Sequence, residues 1–139
     1  MSQPTVQYEK NAELFADYQT PYKLNRPILA PSGEPGNFDA LGVDNMRIFR
    51  HKERFYATYI GFDGVGYQTA LAVSDDLLNW QKLGVIFPRG SANAWDRVGR
   101  AVSCWLHDVD LYGNRELIAK DGKYWMFYHA YPDEGYEGG

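Results

Sequence analysis

Cysteine is nearly absent: Cys104 is the one cysteine in 139 residues, so an internally disulfide-stapled scaffold is excluded. No run of 18 apolar residues occurs, and no membrane-spanning helix is expected. The opening Met1–Lys10 has neither the basic start nor the apolar core of a secretory leader, which predicts a cytoplasmic chain. Lys and Arg never form a run, and 14 basic residues face 18 acidic ones for a formal net charge of −4. A nucleic-acid or anionic-membrane partner is therefore not expected. A nucleophilic serine elbow, an H-E-x-x-H pair and paired zinc cysteines are also missing. Gly61-Phe-Asp-Gly-Val-Gly66 lacks the G-K-[ST] of a phosphate loop. No metal site and no cofactor are expected.

What the chain does have is aromatic residues, 16% of the total, and 14 glycines. Aromatics suit pleated sheets and glycine suits tight turns, so the composition points to an all-β fold. Flat rings also cover the apolar C–H faces of sugars, although most of them should simply pack the core.

Residues 1–39 read as a weakly patterned lead-in. Asn11–Tyr18 could form a short helical turn, Pro21, Pro31 and Pro35 break any long element, and Arg26–Ala30 reads as a short extended piece. From residue 40 the pattern changes. Strands are expected at Met46–Arg50, Arg54–Ile60, Tyr67–Val73 and Gln81–Phe87, joined by turns at His51–Glu53, Gly61–Gly66 and Ser74–Trp80. The segment Asn45–Tyr59 then aligns without gaps on Asn114–Tyr128, an offset of 69 residues. Each reads as apolar strand, charged turn, basic residue, paired aromatics and closing Tyr. A four-stranded unit repeating in this way is the sequence sign of a β-propeller blade. A closed ring of at least four such blades needs well over roughly 250 residues. Residues 40–139 are thus expected to supply one blade and part of a second, with the remainder of the propeller following Gly139. Alone they would expose a strand edge and an apolar sheet face.

Ala70-Leu-Ala-Val-Ser-Asp-Asp-Leu-Leu-Asn-Trp-Gln-Lys-Leu-Gly84 resembles the "A-x-S-x-D-L-x-x-W-x-x-x-G" blade signature of five-bladed propeller glycosidases. These are glycoside hydrolase families 43 and 32 and the related family 130 phosphorylases. In that pattern the Asp caps a turn, Trp80 plugs the gap between neighbouring sheets and Gly84 permits a bend. Asp121-Gly-Lys-Tyr-Trp-Met-Phe-Tyr128 likewise resembles their "D-G-K-Y-Y-L-x-Y" hairpin. The resemblance covers roughly residues 26–139 and implies the N-terminal part of a five-bladed propeller.

In these families an essential Asp opens the first inner strand about a dozen residues before paired aromatics. Asp44 stands 11 residues before Phe55, so the resemblance makes it the general base of an inverting enzyme or the nucleophile of a retaining one; the plainer reading is a turn cap. The chain departs from the family motifs in having Asn45 where Pro is usual, and Asn114 near the place of a second acid. Glu116 is the acid closest to that second strand and the candidate second catalytic residue, or else a surface glutamate beside Arg115. The usual general-acid Glu belongs to a third blade. Arg47, Trp95, Arg115 and His129 are candidate substrate-binding residues: the arginines as oxyanion or hydroxyl ligands, Trp95 as a stacking platform on a rim loop, His129 at the close of the second hairpin. Each has a structural alternative, and strict alternation from Asp44 would turn Arg47 to the opposite face. Phe62 is a weaker stacking candidate.

The resemblance implies a glycosidase that hydrolyses oligo- or polysaccharide bonds with a carboxylate pair at the propeller axis, and a carbohydrate as its partner. The alternatives are a phosphorylase of the same fold, which would need clustered Arg or His for phosphate, and a non-catalytic sugar-binding propeller. Without the third-blade acid the 139 residues alone are expected to be inactive.

Overall fold

Alternating β-branched, aromatic and polar residues from Gly42 onward are satisfied by an antiparallel meander. In the computed structural model, which describes residues 24–132, it consists of β1 (Gly42–His51), β2 (Arg54–Phe62), β3 (Tyr67–Ser74) and β4 (Gln81–Phe87). All four expected strands are present, β1 and β2 being longer than expected. Lys52 and Glu53 join β1 to β2 with φ of 48° and 66°, the paired left-handed conformation of a tight hairpin turn. Asp76 accepts from the N–H groups of Leu78 (2.9 Å) and Asn79 (2.8 Å) and so caps the β3–β4 turn. Gly84, at φ 104°, allows the register shift of β4 against β3.

The two faces of the meander are covered differently. On one, Tyr59, Ala70 and Ala72 form a buried cluster against Leu29, Phe38, Val43 and Trp80. Trp80 therefore packs with the lead-in on the core face rather than between two sheets, and its indole N–H donates to the Leu77 carbonyl at 2.9 Å. Arg26–Ala30 makes bends there instead of the expected extended piece; Pro27 cannot donate to a ladder. Lys82 donates to the Ala30 carbonyl and pairs with buried Asp39. The expected helical turn at Asn11–Tyr18 lies outside the described residues.

On the other face lies β5 (Gly99–Trp105), within a stretch read from sequence as a loop between blades. It pairs antiparallel with β8 (Met126–Tyr131) and touches β3 by a single parallel bridge, Tyr67 to Gly99. Its other edge is satisfied by side chains. The Thr69 hydroxyl donates to the Arg100 carbonyl (2.8 Å) and accepts from the Val102 N–H (3.1 Å), while the Asn45 amide donates to the Val102 carbonyl (2.5 Å). The Trp105 indole N–H reaches the Thr58 hydroxyl at 3.3 Å. Thr58, Thr69 and Val102 are fully buried.

The second repeat is only partly built as the first. β6 (Ala119–Lys120) and β7 (Lys123–Tyr124) form a short hairpin about Asp121 and Gly122, at φ 54° and 69°. These two positions match Lys52 and Glu53 at the 69-residue offset, and the turn conformation is the same. Beyond it β8 pairs with β5 rather than with an equivalent of β1. Ile118, Tyr124, Trp125 and Phe127 are each about half exposed. The described residues are all-β with no helix, and the sheets do not close on one another.

Two outcomes follow from these contacts. Thr69→Val keeps the shape but leaves a buried carbonyl and N–H unpaired, so it should destabilise by about 2–4 kcal/mol in denaturant titration; a loss below about 0.5 kcal/mol would show that β5 is held otherwise. The second concerns Asp63 in the β2–β3 loop. Burial alone would raise its carboxyl, but the Arg89 guanidinium and the N–H groups of Val65 and Gly66 outweigh burial and hold it at about 2. This lies below the unfolded value of about 3.9, so the stabilisation is present above about pH 4 and is lost as pH falls towards 2. Asp63→Asn should cost about 2 kcal/mol at neutral pH and almost nothing at the acid end; an equal cost at both would remove the ion pair as the cause.

Candidate active site

Among the described strands β1 pairs with β2 alone; its other edge is met by residues 115–117 at Arg50, and the open stretch nearer its start carries the candidate site. Near its start the register jumps: Asp44 faces Ile60, Arg47 faces Thr58, and Asn45 and Met46 together oppose Tyr59. This is a β-bulge, and its extra residue shifts the phase of the strand. Ile60 and Thr58 share a face of β2, so their partners Asp44 and Arg47 share one too, contrary to strict alternation. Asn45 takes the left-handed conformation, φ 53°. Its amide reaches β5, and its backbone N–H donates to the Asp44 carboxylate at 2.6 Å, which fixes the orientation of that group.

Among the hollows along β1, two share Met46 as a lining residue. The first, about 290 Å³, is lined by Asp44 with Ile28, Leu29, Val43, Asn45 and Tyr59. The Tyr59 hydroxyl is buried and has no hydrogen-bond partner among the described residues. Burial, aided by the charge of Asp39, pushes it well above the ordinary phenol range, so it stays a donor. The second hollow, about 340 Å³, is lined by Arg47, Arg115 and His107 with Phe49, Cys104 and Trp105.

The other candidates lie elsewhere. Glu116 bridges to Arg50, accepts from the Lys52 N–H at 3.0 Å and lies 3.6 Å from His51 Nδ1. It braces the β1–β2 turn, whose two non-glycine residues both have positive φ. Asp44 and that turn are at opposite ends of β1, roughly 20 Å apart at about 3.3 Å per residue. Carboxylates flanking one glycosidic bond stand at most roughly 9.5 Å apart, so the structure does not bring these two together. His129 is exposed on β8, opposite Ala101. Trp95 is 65% exposed with its ring 6.0 Å from that of Tyr128; neither lines a hollow on β1. Phe62 packs on Tyr67 at 5.3 Å. Among the described residues no group of three or more His, Cys, Asp or Glu could hold a metal ion. Sequence reasoning missed Tyr59 and His107. The first sits in an ordinary strand pattern, and the second gains meaning only when β5 carries it to β1.

No family model matches the chain, and no curated protein does. Among solved structures it resembles one described as "Glycoside hydrolase", with a TM-score of 0.64 and 28% identity over 91% of this chain. It also resembles a BT0996 complex with RGII, with a TM-score of 0.63 and 28% identity over 91% of this chain. The chain has a glycoside hydrolase-like fold. It spans only 36% of the length of each of those two proteins.

The orphan hydroxyl gives a direct test of this hollow. Tyr59→Phe removes a buried donor with no partner among the described residues and should raise stability by about 1 kcal/mol in thermal or denaturant unfolding. A loss of stability would mean that the hydroxyl has a partner in solution.

Proposed function

We propose that this chain is the N-terminal part of a five-bladed β-propeller glycoside hydrolase of the family 43 type, cleaving oligo- or polysaccharide bonds, with Asp44 as its ionised catalytic carboxylate. The observation that carries the reading is Asp44 itself. It opens the edge strand at a bulge, its carboxylate is oriented by its neighbour's N–H, and it lines a hollow within a fold shared with a solved glycoside hydrolase over 91% of this chain. The half-exposed face at Ile118–Phe127 supports a further blade packed against it.

In this role the Asp44 carboxylate attacks the anomeric carbon, or takes a proton from the water that does, while a second carboxyl group protonates the leaving oxygen. Glu116 is too far along β1 to be that acid, and among the described residues Asp44 is the only carboxylate lining its hollow. The reading therefore puts the acid on a later blade. Arg47 and Arg115 border the adjoining hollow as substrate ligands, and the exposed Trp95 ring beside Tyr128 suits stacking on a longer glycan away from the cleavage point. A phosphorylase is the second reading, favoured by the two guanidinium groups of the adjoining hollow.

Asp44→Asn in the whole enzyme should keep the fold, because the change is isosteric, and should lower kcat by about 10³-fold or more through loss of the charge at the anomeric centre. Hydrolysis of aryl glycosides measures it. Turnover within threefold of the parent enzyme removes Asp44 from the mechanism.

A further inference from the structure

The protein treats its arginines in two ways. Arg54 pairs with Asp75 at 2.7 Å, Arg89 with Asp63 at 2.9 Å and Arg100 with Asp96 at 2.5 Å. Arg47 and Arg115 have no carboxylate partner among the described residues, yet β1 and the residue 113–118 segment bring both to one hollow that no Asp or Glu lines. Glu116, next to Arg115, is turned to Lys52 and His51.

The hollow is also built to hold Arg115 in place. His107 Nδ1 lies 2.8 Å from the Trp105 carbonyl and donates to it, leaving Nε2 as an acceptor 3.4 Å from Arg115 Nη1. The Arg115 backbone is left-handed, φ 61°, and its carbonyl accepts from the Arg50 N–H at 3.0 Å. A non-glycine residue held in that conformation is strained and persists where the surroundings fix it. The walls, in contrast, are carbon: Met46, Ile48, Phe49 and Trp105.

We infer that this hollow is a subsite for an acidic sugar residue, the two guanidinium groups taking its carboxylate and the Phe49–Trp105 wall its ring. Fork-shaped guanidiniums match a planar carboxylate, and the apolar wall suits a sugar ring better than a bare, hydrated phosphate ion. The subsite shares Met46 with the lining of the Asp44 hollow. This assignment rests on the glycoside hydrolase reading for its use in catalysis, but not for binding.

Cys104 lines the same hollow and is exposed, so its rate of modification by a neutral maleimide, followed at that residue by mass spectrometry in the whole protein, reports occupancy without any turnover. Galacturonate or glucuronate should slow the modification saturably; galactose and glucose should do so at least tenfold more weakly. Arg47→Gln and Arg115→Gln should each weaken the protection about tenfold, as expected for a lost charged hydrogen bond, and Arg47→Lys should restore part of it. Equal protection by acidic and neutral sugars, protection by inorganic phosphate but not by uronate, or undiminished protection in a folded double variant overturns the inference. Kinetics separate the two proposals. If neutral and acidic glycosides are cleaved equally well, the subsite fails while the hydrolase reading stands. If uronate protects Cys104 but no glycoside is cleaved, the hydrolase reading fails while the subsite stands.

Discussion

One threonine hydroxyl ties β5 to the meander. A strand laid across a sheet face, rather than added to its edge, must find partners for the backbone groups it turns towards that face, and buried ones left unpaired are costly. Thr69 answers for two of them at once, bonding the Arg100 carbonyl and the Val102 N–H, and Asn45 answers for the Val102 carbonyl. With that edge satisfied, β5 uses its remaining groups to pair with β8. The position of His107, and hence of Arg115 against β1, depends on where β5 is held.

This explains what could be read in the sequence and what could not. The meander is written locally: alternating runs, a Gly/Asp loop and the Ser-Asp-Asp turn each act over a few residues, and the matching turns at Lys52–Glu53 and Asp121–Gly122 follow from the repeat. β5 is different. Its outer edge is satisfied by side chains from two strands distant in sequence, Thr69 of β3 and Asn45 of β1, a pairing with no period to read. The repeat also overstated the second unit, because β5 takes the place beside β8 that a repeated β1 would have occupied.

The candidate site shows the same division. Asp44 was legible because its spacing from paired aromatics is a sequence quantity. That Asp44 and Arg47 share a face of β1 was not, since it depends on one extra residue in the strand, which only the register reveals. Glu116 was chosen for its nearness to a strand start. It serves the far end of β1 instead, where a Lys-Glu turn in a conformation that favours Asn and Gly gains a carboxylate for one of its N–H groups.

The outer edge of β1 is met by residues 115–117 at Arg50 but by no strand nearer its start; an open strand edge invites association with other chains, and natural sheets blunt such edges with bulges and charges. β1 carries both: the bulge at Asn45–Met46, and Asp44 and Arg47 on either side of it. The devices that discourage edge pairing are therefore the ones that shape the hollows, because the bulge turns the carboxylate and the guanidinium to one side. At the other edge of the meander the exposed side chains of β4 are largely apolar, with Leu83, Val85 and Ile86 each close to half exposed. The polarity of the two edges is thus opposite. The polar edge has the groups to hold a sugar, while the apolar one offers carbon surface with no charge to recognise it. Under the proposed reading, a glycan entering this part of the molecule would find its polar partners along β1.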